Sequence, residues 1–273
     1  MPISFFKTMP VTTGFEPGFY FESSGTTGSI NSRHYVKDIE LYKKSFRSGF
    51  RQFYGDPADL CIIGLLPSYL ERQHSSLVLM VDDLVQQSKN AASGFYLYDH
   101  EKLYHTLLAN EKKRTPTVLI GVTYALLDFA QHFPMQLQHT IIMETGGMKG
   151  RREEMTRDEV HEILKRQLGV TTVHSEYGMT ELLSQAYSTG EGIFNSPPYL
   201  KILLREEDDP LTVHDTVAGK ILKGIINVID LANVYSCAFI ATDDIGKLYG
   251  DGSFEVLGRM DNSDVRGCGL MVQ

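Results

Sequence analysis

The chain has 273 residues, 42% hydrophobic and 22% charged, a composition ordinary for one large globular core or a main domain with a small satellite. A formal net charge of −8 argues against a nucleic-acid-binding face, and the dense basic cluster "KGRRE" at 149–153 is offset by Glu153 and Glu154. Cys61, Cys237 and Cys268 show neither CxxC spacing nor an even set, no apolar run is long enough to span a bilayer, and "MPISFFKTMPV" is not a secretory leader, so a soluble protein of the reducing cytoplasm is expected.

Residues 22–33 read "ESSGTTGSINSR". Gly25 and Gly28 have access to backbone angles closed to other residues, and the hydroxyls of Ser24, Thr26 and Thr27 can donate several hydrogen bonds to one anion. That is the chemistry of a phosphate cradle, although runs of this composition are more often solvated turns. Further along, "LCIIGLL" (60–66), "TVLIG" (117–121), "TIIME" (140–144) and "TTVHS" (171–175) are short, apolar or β-branched and bounded by turn residues, which predicts buried strands. Between them "SSLVLMVDDLVQQ" (75–87), "HEKLYHTLLANEKK" (100–113), "YALLDFAQHF" (124–133) and "RDEVHEILKRQL" (157–168) space their apolar residues as helices do. Thr156 and Glu159 form a capping box for the last. The alternation predicts an α/β fold with a parallel sheet and helices on both faces.

Ligands of such sheets bind beyond the carboxyl ends of the strands, which directs attention to "PSYLERQHSS" (67–76), "VTYA" (122–125), "TGGMKG" (145–150) and "EYGMTE" (176–181). Gly146 and Gly147 allow backbone to approach a flat ring, Thr180 offers a hydroxyl, and Glu181 a carboxylate suited to magnesium. Around 196–210 Pro and acidic residues thicken, and thereafter "GKILKGIINVIDL", "CAFIATDDIGKLY" and "FEVLG" read as β-strands, the last two joined at Asp251-Gly252. Asp243 and Asp244 end an apolar run there, suited either to the two hydroxyls of a sugar or to a solvated strand end.

Four strings in order, "SSGTTGS" (23–29), "EYGMTE" (176–181), "ATDDIG" (241–246) and "GRMD" (258–261), resemble the signature motifs of the adenylate-forming superfamily, whose members activate carboxylic acids with ATP. "LLPSYLERQHSSLVLMV", "ETGGMKGR", "DLANVYSCAFIATDDIG" and "LGRMDNSDVRGC" are most similar to its LuxE-type acyl-protein synthetase branch. No Walker, GxGxxG, HExxH or GxSxG motif supports another nucleotide, zinc or hydrolase site.

The resemblance implies a single core over 1–273, with an α/β part over 1–200 and a smaller β-rich part over 201–273, and without the mobile C-terminal lysine domain. It implies ATP and Mg2+ as cofactors, with Ser24, Gly25, Thr26, Thr27 and Gly28 around the phosphates, Gly146 and Gly147 bordering adenine, and Tyr177 and Gly178 near the base. Thr180 would meet the α-phosphate, Glu181 the metal, Asp244 the ribose, and Arg259 the ribose or phosphate side. Cys268, between Gly267 and Gly269 and beside Arg266, would be the acylated thiol. The implied partners are a carboxylic, chiefly fatty, acid and an acyl-accepting protein, carrier protein or CoA, with no nucleic acid and no membrane span. The chain departs from the superfamily at Ile30 and Asn31, which replace a proline and a lysine, and at Asp243, which replaces a glycine; Arg33 is the nearest cation to the altered loop. An acyl-CoA ligase core completed by a separate C-terminal piece, and a non-catalytic nucleotide- or acyl-binding module, are the rival expectations.

Overall fold

A computed structural model describes residues 1–23, 30–66, 74–146 and 155–260. Helix α1 (Phe5–Thr8) is followed by the hairpin β1 (Tyr20–Glu22) and β2 (Arg33–Tyr35) and by α2 (Ile39–Tyr54). The parallel part then runs β3 (Cys61–Leu65), α3 (Ser76–Gln87), β4 (Gly94–Phe95), α4 (His100–Lys113), β5 (Thr117–Val122), α5 (Thr123–His132), β6 (Thr140–Thr145), α6 (Arg157–Leu168) and β7 (His174–Tyr177). The remainder is β8 (Ala186–Ser188), β9 (Phe194–Asn195), β10 (Leu200–Arg205), β11 (Val213–His214), β12 (Ile221–Asp230), β13 (Phe239–Tyr249) and β14 (Phe254–Arg259).

Local chemistry explains the helix boundaries. Ser75, Asp99 and Thr156 each accept a hydrogen bond from a first-turn amide of α3, α4 and α6, and the Thr156–Glu159 capping box is reciprocal. Gly169 ends α6 at φ +64°, a left-handed angle that suits glycine. Sequence reading passed over α2. Its core residues Tyr42, Phe46 and Phe50 recur every fourth position and Asp38 caps it, so the signal was present among many charged and polar neighbours. The strand expected at 171–175 begins later, at His174, because β7 pairs with β6 through Met143–His174 and Glu144–Ser175.

Twelve of these strands form one sheet in the order β11-β10-β12-β13-β14-β9-β8-β7-β6-β5-β3-β4. Pairing is parallel from β4 to β7 and antiparallel from β7 onward. The β-rich C-terminal part therefore continues the same sheet instead of standing apart from it. Strands β3 and β5 are buried along their whole length, whereas β13 alternates buried and partly exposed residues, as expected for a sheet open on one side. Helices flank the sheet, with α2 against α3 and α5 against α6. The first residues join the ladder beside β13: the amide of Ile3 donates to Ala241 O at 2.9 Å and that of Ala241 to Met1 O at 2.8 Å. Ile3, Phe6 and Val11 pack into the apolar cluster under the antiparallel part.

Candidate active site

Three expected site residues meet through the antiparallel ladder. Asp244 on β13 and Arg259 on β14 are direct cross-strand partners, and Arg259 Nε donates to Asp244 Oδ1 at 2.9 Å. Tyr177, the last residue of β7, donates its hydroxyl to Asp244 Oδ2 at 2.8 Å. Its ring is wedged edge-on against Phe194 and Phe254, which fixes the phenol's direction. Each Asp244 oxygen thus has one protein donor and keeps lone-pair capacity for another. Burial pulls the Arg259 pKa down, but the charges of Asp244, Asp243 and Glu181 and the bond to Asp244 outweigh it and raise it. Asp243 points its carbonyl to the amide of Met260 at 3.0 Å, extending the pairing past β14.

The segment after Tyr177 is held by residues that sequence reading did not single out. His34 on β2 is fully buried; its Nδ1 lies 2.8 Å from Thr180 O and its Nε2 lies 2.9 Å from Asn233 Oδ1. Asn233 Nδ2 donates to Glu181 O at 2.8 Å. Asp230, at the end of β12, accepts from the amides of Leu183, Ser184 and Ala232 and from the Ser184 hydroxyl. Burial raises the Asp230 pKa against all four of those bonds, and burial lowers that of His34 against its bonds to Thr180 and Asn233 and the charge of Glu181. The carbonyls of Thr180 and Glu181 are therefore anchored from two distant elements. The available clue was "DLAN" at 230–233, two short polar residues interrupting an apolar stretch. Glu181 itself is fully buried, close enough to Arg259 and His34 for its charge to act on both.

Two more carboxylates underlie the strand ends. Glu144 accepts from Thr123 at 2.9 Å and Ser175 at 3.0 Å, with His161 Nε2 at 3.7 Å. Burial acts to raise its pKa, but His161, Arg157 and Thr123 together hold it below the usual carboxylate value. Glu176 accepts from the Thr145 hydroxyl, and burial raises it to about 7, with the Thr145 bond opposing and the charge of Glu144 adding. Gly146 follows β6 at φ +77°, an angle that an L side chain rarely adopts.

Ser24, Gly25, Thr26, Thr27, Gly28, Gly147 and Cys268 lie outside the described residues. Residues on either side of 24–29 bond one another: the Ser23 amide donates to Ser32 O at 3.0 Å, and the Ser32 amide to Ser23 Oγ at 2.9 Å. Glu22 receives Asn31 Nδ2 at 3.0 Å and Arg33 Nε at 2.9 Å, so the charge of Arg33 is offset within the hairpin. Of the other thiols, Cys61 is fully buried and burial raises its pKa, which disfavours the thiolate.

By sequence the chain matches no family profile and no curated relative. Solved structures do share its architecture. O-succinylbenzoate CoA synthetase from Bacillus subtilis, in complex with ATP and magnesium ion, superposes at a TM-score of 0.58 with 15% identity over 93% of this chain and 53% of that one. Its fold is that of the adenylate-forming enzymes. Two further examples of this adenylate-forming fold are a luciferase-like enzyme from the nonluminescent Zophobas morio mealworm (TM-score 0.57, 15% identity, 91% of this chain and 59% of that) and a long-chain-fatty-acid-CoA ligase from Archaeoglobus fulgidus (0.56, 14%, 88% and 51%). The chain spans between half and three fifths of the length of these structures, and the large sheet flanked by helices is the part they share.

Proposed function

We propose that the chain activates a carboxylic acid with ATP, forming an acyl-adenylate and pyrophosphate, and transfers the acyl group to a thiol. The observation that carries this reading is the meeting of Tyr177 from β7, Asp244 from β13 and Arg259 from β14, with Glu181 of the turn after β7 close enough to act on Arg259, at the carboxyl end of β7.

The donor chemistry fits the nucleotide. Asp244 has the remaining acceptor capacity for a ribose diol, and Arg259, kept charged by its surroundings, sets the carboxylate's orientation and faces phosphate with a cation. Gly146 and, by sequence, Gly147 carry no side chain to obstruct a planar base. The Thr180 hydroxyl is assigned to the α-phosphate, its carbonyl being anchored by His34, and the hydroxyls of Ser24, Thr26 and Thr27, with Gly25 and Gly28 between them in sequence, are assigned to the departing phosphates. Glu181 is the metal carboxylate; among the described residues no three His, Cys, Asp or Glu side chains converge, and one carboxylate with substrate phosphates is a usual magnesium donor set. When bound, magnesium offsets phosphate charge as the acid's carboxylate bonds to phosphorus. The attacking carboxylate is already ionised, so no general base is required.

In the second step the Cys268 sulfur attacks the acyl carbonyl carbon; a C–S bond forms, the bond to the phosphate oxygen breaks, and AMP leaves. CoA as the acceptor is the alternative, favoured by the CoA ligases among the structural neighbours. The test is pyrophosphate exchange over a panel of acids. Glu181→Gln should lower exchange on the order of a hundredfold in a folded protein. Cys268→Ser should keep exchange but lose a hydroxylamine-sensitive thioester label. Label retained on that variant assigns the acyl group elsewhere, and exchange absent with every acid overturns the adenylation reading.

A further inference from the structure

Asp244 sits in an interruption of the antiparallel ladder. Between β12 and β13, Ile225 pairs with Ile245 and Asn227 with Ala241, so the step from 225 to 227 answers the longer one from 245 to 241, and the β12 register passes over Thr242, Asp243 and Asp244. On the other side of β13 a second shift falls between Ile245 and Gly246. Irregularities of this kind re-aim a side chain relative to a regular strand, and they take backbone groups out of their usual pairing.

Side-chain bonds take the place of that pairing. Arg205 ends β10, which β12 separates from β13 in the sheet. Its guanidinium reaches across β12: Nη1 donates to Asn227 Oδ1 at 2.7 Å and to Ile226 O at 3.3 Å, and Nη2 donates to Thr242 O at 2.6 Å. Thr242 carries the chain of bonds onward. Its hydroxyl donates to Ile226 O at 2.7 Å and accepts the amide of Asp244 at 3.1 Å. Arg205 is 9% exposed and Thr242 fully buried, and the three oxygens that the guanidinium holds are all neutral. Burial pulls the Arg205 pKa down, opposed by the charge of Asp243 inside the same interruption. A buried cation is costly, and a hydrocarbon side chain would fill the space without that cost, so what the guanidinium contributes here is its fork of bonds to two strands at once.

We propose that Arg205 is a positioning residue for the nucleotide: through Thr242 it fixes the interrupted stretch of β13 and so sets the direction in which Asp244 meets the ribose hydroxyls. This rests on the adenylation reading and extends its site to a strand that the nucleotide residues do not occupy. Tyr177 and Arg259 hold the Asp244 carboxylate, whereas Arg205 and Thr242 hold the backbone that carries it. Both are needed, because a displacement of about 1 Å in such a group can cost on the order of a hundredfold. The effect of Arg205 is therefore exerted through Asp244 and confined to the sugar.

The experiment measures, by calorimetry on the full chain and per folded molecule, the binding of Mg-ATP and of an ATP analogue lacking both ribose hydroxyls. Wild type should prefer ATP. Arg205→Met should weaken ATP about tenfold or more, leave the analogue unchanged and bring the two nucleotides to within about threefold of each other. In a double-mutant cycle it should add nothing to the loss caused by Asp244→Ala. Thr242→Val removes only the hydroxyl link and should show the same loss of ribose preference, which keeps the test open if Arg205→Met does not fold. A lowered melting temperature with the ATP preference intact shows a purely structural clasp and overturns the proposal, as does an additive cycle. Loss of the preference in a protein that exchanges pyrophosphate with no acid keeps the positioning role and removes adenylation. If wild type does not tell the two nucleotides apart, the ribose role of Asp244 falls, and hydrogen exchange decides what Arg205 holds: a faster Asp244 amide in Arg205→Met retains its grip on that backbone, and an equal rate removes it.

Discussion

The parallel and antiparallel parts of the sheet serve the candidate site in different ways. Strands β3, β5 and β6 are nearly continuous apolar runs whose side chains vanish into one large cluster, and their contribution is the loops that leave their ends. The antiparallel part delivers side chains by register: Asp244 faces Arg259 because β13 and β14 pair there, and Asp230 and Asn233 hold the 180–184 segment from the end of β12. Stability and chemistry are therefore separable in the first part and fused in the second. A buried carboxylate with four donors is at once a structural and a positioning element.

The largest expected effect tests that fusion. Asp230→Ala should destabilise by roughly 3 kcal/mol or more, because it removes the acceptor of the Leu183, Ser184 and Ala232 amides and of the Ser184 hydroxyl, and it should also reduce pyrophosphate exchange in the folded fraction. Leu119→Ala, fully buried on β5, should cost about 2–5 kcal/mol through its cavity alone. Urea titration gives the first quantity and exchange per folded molecule the second. If both variants lower exchange alike, or neither does, the two parts do not differ as described.

A smaller effect concerns the boundary strand. Burial pushes the Glu176 carboxyl up to about 7 from its ordinary 4.5, so the folded state holds more protons across that interval. Stability should accordingly decline as pH rises from about 4.5 through 7, and Glu176→Gln should flatten that part of the melting-temperature profile. An unchanged slope would assign the pH dependence to other groups. The smallest effect is expected at the hairpin: Arg33 is half exposed, and Arg33→Ala should leave the urea midpoint within error of wild type. Because Glu22 already offsets its charge, the same variant should leave the melting shift with Mg-ATP within error of wild type; a large loss would give Arg33 a phosphate-binding role.

What local pattern encodes was legible in the chain itself. The bounds of α4 and α6, the capping box at Thr156, the fully buried strands and the Asp251-Gly252 hairpin all follow from interactions between residues close in sequence. So did the candidacy of Tyr177, Asp244 and Arg259, because motif order survives without coordinates. Their mutual bonds did not, since residues 67 apart in the chain are joined only by the way strands are ordered in the sheet. His34 and Asn233, separated by 199 positions, carry no local signature of a shared task. Short-range chemistry is written along the sequence, whereas the placement of one buried polar group against another depends on strand order and burial, which the whole fold determines together.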